Sequence, residues 1–202
     1  MRGLADASYV SARHKMAQWP QADAASGPAE WRAVRDALQD ARAKEPDNPL
    51  FVEELGRLHE LRARGLDPRQ PVVREILTHA LEEFRTAARM RPASPTTWAN
   101  IALLKYRLDA LDAEFYAAAG NAARLGPWEP GVQRRLSEIG LAAWSRLTPA
   151  GRELAAAAVE RGLQMQPRAL ERVLNAGAER AEFCAGVSAR APRTALACTR
   201  LR

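Results

Sequence analysis

Ala80-Leu-Glu-Glu-Phe84-Arg-Thr-Ala87-Ala-Arg-Met90-Arg-Pro92-Ala-Ser-Pro-Thr-Thr-Trp98-Ala-Asn-Ile101-Ala102-Leu-Leu-Lys105 decides the fold of this chain. Proline has no amide donor and disfavours helical geometry in the residue before it, so Pro92 stands where one helix stops and the chain turns. Ala80, Phe84, Ala87 and Met90 precede it by 12, 8, 5 and 2 residues, a helical stripe of small and larger apolar groups. Six residues past it, Trp98, Ile101, Ala102 and Lys105 open the next helix, and the small Ala102 lets two helix backbones come close.

The same punctuation recurs at Pro46, Pro127 and Pro167. Phe115, Ala119, Ala122 and Leu125 fill the slots before Pro127, and Ala155, Val159, Gly162 and Met165 those before Pro167. Val34, Leu38, Ala41 and Lys44 make a poorer version before Pro46. Val52, Leu55, Gly56 and His59 repeat the opening pattern. This is the tetratricopeptide spacing, in which paired helices recur and each pair shields its neighbour. Two departures stand out. Gly56 and Ala80 are 24 residues apart, where an ordinary repeat has about 12, so Arg64 to Pro71 reads as a lengthened loop. A smaller excess surrounds Arg146 to Pro149.

Working outward, the spacing predicts helices over 3–18, 28–44, 49–63, 70–90, 95–108, 112–125, 130–146, 149–165 and 168–181. Val132, Leu136, Ile139, Ala143 and Leu147 form one apolar stripe. Ser94-Pro95 and Thr148-Pro149 supply a capping side chain followed by proline at the first helical position. Ala22 to Pro28 is the clearest linker. The expected fold is therefore all-α, a TPR-like right-handed α-solenoid of about nine helices with lengthened inter-helix loops. Its parts are an N-terminal helix and linker (1–27), a helical repeat domain (28–182) and a C-terminal tail (183–202).

Composition agrees. Good helix formers dominate the 202 residues, and 47% hydrophobic with 27% charged is globular chemistry that excludes a mostly disordered chain. Of the 30 basic residues only Lys15, Lys44 and Lys105 are lysine, a bias that genome composition explains as readily as nucleic-acid binding, so nucleic acid is not an expected partner. Residues 127–202 hold 12 basic against 7 acidic side chains, an excess that suits an anionic polymer or membrane surface, or simply a solvated face. No stretch approaches the roughly 20 apolar residues that span a bilayer. Met1 to Ala5 enters a helical pattern at once, as a chain trimmed just after a membrane anchor would.

Stacked helix pairs leave a concave side lined by first helices, the default binding surface of such folds. The candidate binding residues are Thr96, Asn100, Leu103 and Arg107 on the central helix, with Arg57 and Arg134 on its neighbours. Asn100 is the most pointed of them, because an amide hydrogen-bonds an extended backbone without selecting its side chains. Catalytic chemistry is thin. The three histidines, His14, His59 and His79, form no HExxH, and there is no Gly-rich phosphate loop or Gly-x-Ser-x-Gly elbow. Glu53-Glu54 and Glu82-Glu83 are neighbours whose side chains diverge on a helix. No catalytic residue, metal ligand or cofactor is expected, and the chain reads as a non-enzyme. Trp98, Trp128 and Trp144 fall at core positions, whereas Trp19 and Trp31 flank the linker with partial exposure. Cys184 and Cys198 lie 14 apart, outside CxxC spacing. They form either a disulfide that staples the tail to the preceding helix and implies an oxidising compartment, or two buried thiols.

Ser94 to Lys105, and Ala123-Arg-Leu-Gly-Pro-Trp-Glu-Pro130 followed by Gly140-Leu-Ala-Ala-Trp144, resemble the VpsP-type family of polysaccharide-biosynthesis proteins. The likeness is good over about residues 75 to 147 and loose beyond them. It implies an accessory scaffold in an exopolysaccharide cluster, with protein partners of an assembly or export system and the polysaccharide itself as a second candidate. It also implies a periplasmic location at the inner membrane through an N-terminal anchor that this chain lacks, or a cytoplasmic one if none precedes it. The resemblance carries over no catalytic residue.

Overall fold

The computed structural model describes residues 2–19, 27–187 and 191–200. They form eleven α-helices, one 3-10 turn and no strand. The helices are α1 (Arg2–Gln18), α2 (Pro28–Lys44), α3 (Pro49–Ala63), α4 (Pro71–Met90), α5 (Pro95–Arg107), α6 (Ala113–Leu125), α7 (Pro130–Ala142), α8 (Pro149–Met165), α9 (Pro167–Ala176), α10 (Arg180–Gly186) and α11 (Pro192–Arg200). Eight of the eleven open on proline, whose missing amide costs nothing in a first turn that has no acceptor for it. Side chains close other helix starts. Asn48 accepts from the Leu50 amide at 3.1 Å, Asp112 from Phe115 at 3.1 Å, Thr148 from Gly151 at 3.2 Å and Ser94 from Thr97 at 3.4 Å.

The chain divides into two compact units, Met1–Pro92 and Ala93–Arg202, a boundary that falls inside the stretch 28–182. In the first unit α1 packs on α2 and α3 on α4, with α2 also against α3. Ala12, Met16 and Trp19 of the N-terminal segment share a core with Val34, Leu38, Leu55 and Leu58. Gly56 is what brings α3 onto α4, since a Cβ there would lie 2.9 Å from the Phe84 ring.

In the second unit α5 pairs with α6 and α7 with α8, while α7 also packs on α5. Gly140 of α7 faces Ala155 of α8 so closely that a Cβ on it would stand 2.4 Å from the alanine methyl. The seventh helix ends earlier than the predicted 146. It stops at Ala142, and Trp144–Arg146 forms a 3-10 turn. Side chains take over the peptide groups this break frees: Arg152 donates to the Trp144 and Ser145 carbonyls at 2.9 Å each, and Glu179 accepts from the Ser145 amide at 2.6 Å. The ninth helix likewise ends at Ala176, before Gly177, and the chain turns into α10 and α11. Beyond 182 the described residues are mostly helical, in the end of α10 and in α11, and the helices among the described residues number eleven against the expected nine.

Cys184 of α10 and Cys198 of α11 are joined in a disulfide with Cα atoms 5.7 Å apart. The other end of α11 is held by Glu160 of α8, whose carboxylate accepts from the Arg193 amide at 3.2 Å and from the amide and hydroxyl of Thr194 at 2.9 Å each. Burial pushes this carboxyl up, and the four hydrogen bonds from Thr194 and Arg193 overcome it and hold its pKa below the ordinary value.

Candidate functional site

Thr96, Asn100, Leu103 and Arg107 succeed one another on α5 at helical intervals, so they share a face. Thr96 is exposed and the other three half-buried, whereas Thr97, Ile101, Leu104 and Lys105 around the helix are buried. The α5 stripe is thus the more open side of a helix whose remaining faces are covered. Tyr106 extends it, its hydroxyl reaching the Ala142 carbonyl at the end of α7 at 3.5 Å. Burial raises the Tyr106 phenol above its ordinary pKa, with Arg146 opposing and Glu179 and Asp109 reinforcing the shift. Beyond it, Asp109 has a positive φ of 62° and pairs with Arg146 of the 3-10 turn.

Arg134 is exposed on α7, the helix that packs on α5, and pairs with Glu138 one turn on at 3.4 Å. Arg57 belongs to the first unit. It stands 3.8 Å from the Glu54 carboxylate, which Arg13 approaches to 3.4 Å from α1. Glu54 is buried and one of its oxygens has no hydrogen-bond partner. Desolvation accordingly raises its pKa against the pull of Arg57 and Arg13. The cysteines of the candidate set are the disulfide already described.

Several polar features escaped the sequence. Lys105, at the slot an aromatic ring fills in the repeat pattern, is 6% exposed and lies 2.5 Å from Asp112 and 3.1 Å from Glu114. Desolvation lowers its pKa, but hydrogen bonds to both carboxylates outweigh that and hold it above the ordinary lysine value. The run Lys105, Asp112, Glu114 was readable only by someone who knew that α5 ends at 107 and α6 starts at 113. In the first unit His59 lies between the Trp31 ring, 5.5 Å away and edge-on, and His79 at 6.1 Å. Desolvation first, then His79 and Arg35, depress its pKa to about 4. Among the described residues no group of three metal-ligating side chains converges.

The tryptophans differ from expectation. Trp144 is buried, edge-on to Phe183 at 4.9 Å, and Trp19 is buried as well, not partly exposed. Trp128 is 60% exposed, a correction to its core assignment, because the short Gly126-to-Pro130 connection holds it outside the helix stripes.

A scan against protein-family models finds no match to the chain, and a search of curated proteins finds none either. The fold defines an all-α protein of sequentially paired helices with one disulfide. No helix among the described residues is long and apolar enough to cross a membrane.

Proposed function

We propose that the chain is a non-catalytic, TPR-like right-handed repeat scaffold, an accessory protein of exopolysaccharide biosynthesis or export that grips protein partners along its first helices. The observation that carries this reading is the open stripe Thr96, Asn100, Leu103 and Arg107 on a helix otherwise covered by its neighbours, with α7, which bears the exposed Arg134, packed alongside. A mixed stripe of amide, aliphatic and guanidinium groups suits an extended segment, whose backbone meets the amide and whose side chains meet the rest. The disulfide is consistent with an oxidising compartment, which supports a periplasmic location, and the resemblance of Ser94 to Lys105 and Ala123 to Trp144 supports the exopolysaccharide setting. Pull-down from the native host with wild type and with Asn100→Ala plus Arg134→Glu tests it. The expected outcome is partners retained by wild type and lost by a variant that melts like wild type. Equal recovery by both forms removes the stripe as the binding surface.

A second reading has its own support in Arg168 and Arg172, exposed one turn apart on α9 within the basic last third. Binding of an anionic polymer or membrane surface there would weaken steeply with rising salt, whereas a stripe gripping backbone and apolar groups would hold.

A further inference from the structure

The first helix meets a buried carboxylate. Arg13 of α1 comes within 3.4 Å of Oε1 of Glu54 on α3, and Arg57, one turn further along α3, within 3.8 Å of the same oxygen. The second oxygen, Oε2, is buried with no hydrogen-bond partner. The two guanidinium side chains are 55% and 49% exposed, the carboxylate side chain 11%. Only the anion of this trio has been taken out of water. Arg13 is also engaged on its own helix, where it lies over the Tyr9 ring and donates to the Tyr9 hydroxyl at 3.4 Å. Tyr9 in turn packs its ring on Phe51 of α3, 5.3 Å away.

The groups that act on the Glu54 charge are Arg57 and Glu53 of its own helix and Arg13 of α1, with the Tyr9 phenol beside them and none from α2 or α4 among the described residues. Glu53 repels it. Ion pairs with half-exposed arginines return little, whereas a desolvated carboxylate with an unmatched oxygen is costly. Adding a proton removes that cost and leaves behind two guanidiniums that water already serves.

We propose that Glu54 makes the seat of α1 a proton-sensitive joint, in which uptake of a proton by its carboxyl tightens the helix on α3. The apolar part of the seat, where Ala12, Met16 and Trp19 meet Val34, Leu38, Leu55 and Leu58, supplies the adhesion, and the ionised carboxylate works against it. Desolvation outweighs Arg57 and Arg13 and raises the Glu54 pKa, so the docked helix binds a proton more tightly than a detached one would. Docking is then weakest above the raised pKa, strengthens as the pH falls through it, and levels off below the ordinary glutamate value. An interhelical ion pair that held α1 in place would give the opposite sign. The joint lies within Met1–Pro92 and does not involve the α5 stripe.

The test follows native-state hydrogen exchange of the Ala12 and Met16 amides in the full chain, corrected for intrinsic chemical rates, from about pH 7 to about pH 5. Wild type is compared with Glu54→Met and Glu54→Gln. The histidines are common to all three proteins, so their protonation cancels in the comparison. Protection of α1 in wild type should rise several-fold as the pH falls. In Glu54→Met it should stay level and, at about pH 7, exceed wild type several-fold. Glu54→Gln should lose the pH response too, and where the two variants differ in level Glu54→Met decides, because the buried amide of glutamine needs partners of its own. Should Glu54→Met melt early, the pH response lost or kept in Glu54→Gln decides. Faster α1 exchange in Glu54→Met than in wild type at about pH 7, or a pH response that the variants retain, overturns the proposal.

Discussion

Exchanging the two smallest residues at the α7–α8 contact tests whether close helix approach organises the second unit. In Gly140→Ala the new methyl would stand 2.4 Å from the Ala155 methyl, where carbon atoms prefer about 3.5–4.0 Å. The helices must part by more than about 1 Å, and overpacking of this size costs about 1–3 kcal/mol. The gain of up to about 1 kcal/mol in helix propensity is reduced because Gly140 lies in the last turn of α7. Ala155→Gly alone loses about 1 kcal/mol of propensity and about 0.8 kcal/mol for a buried methyl. In the double variant the propensities nearly cancel and the methyl crosses to the other helix, so its stability should return to within about 1 kcal/mol of wild type. The coupling between the sites, the relieved clash plus the restored methyl contact, is then about 2–4 kcal/mol. Native-state hydrogen exchange at α7 and α8 amides reads this in the unit that contains the pair, which a single melting curve of a two-unit chain would not. Additive effects, with coupling under about 0.5 kcal/mol, would refute the argument that Gly140 is there to admit Ala155.

Two further outcomes follow from the chemistry already described. Replacing Cys184 and Cys198 with serine, or reducing them, should lower the opening free energy of α11 by up to about 3 kcal/mol while leaving α7 and α8 amides unchanged, because the bond joins residues 14 apart and spans no other element than α10 and α11; unaltered exchange in α11 would refute it. His59 has its pKa lowered from 6.5 to about 4, so between those values the unfolded chain binds a proton that the folded chain refuses. Stability is therefore undiminished by His59 above pH 6.5 and falls as pH drops towards 4, by at most about 3 kcal/mol. Denaturant midpoints of wild type and His59→Leu should converge in their pH dependence outside that window and diverge within it; parallel curves throughout would show that His59 titrates normally.

Periodicity made the first helix pairs legible, because apolar spacing and proline are local signals. The starts at Pro28, Pro49, Pro95, Pro130 and Pro149 coincide with those expected, as do the side-chain caps of Ser94 and Thr148. The misreadings occur where one side chain answers a distant backbone. The apolar stripe through Leu147 is continuous in sequence, yet Arg152 and Glu179, 7 and 34 residues from Ser145, stabilise a break in it. The clasp that starts the last helix is of the same kind, since Glu160 lies 34 residues before Thr194. For the candidate site, the sharing of one face by Thr96, Asn100, Leu103 and Arg107 follows from helical spacing alone. The contact of Arg161 with Gln133 on the neighbouring helix does not, since the two lie 28 residues apart.

The final helix has two fasteners of unlike chemistry. A covalent bond near its C-terminal end yields to electrons, and a carboxylate clasp at its start yields to protons, Glu160 losing its grip as pH falls through its lowered pKa. Neither acid nor a dithiol by itself undoes both. Reduction thus frees α11 from α10 and acid loosens its hold on α8, so each condition acts on a different attachment of the same helix.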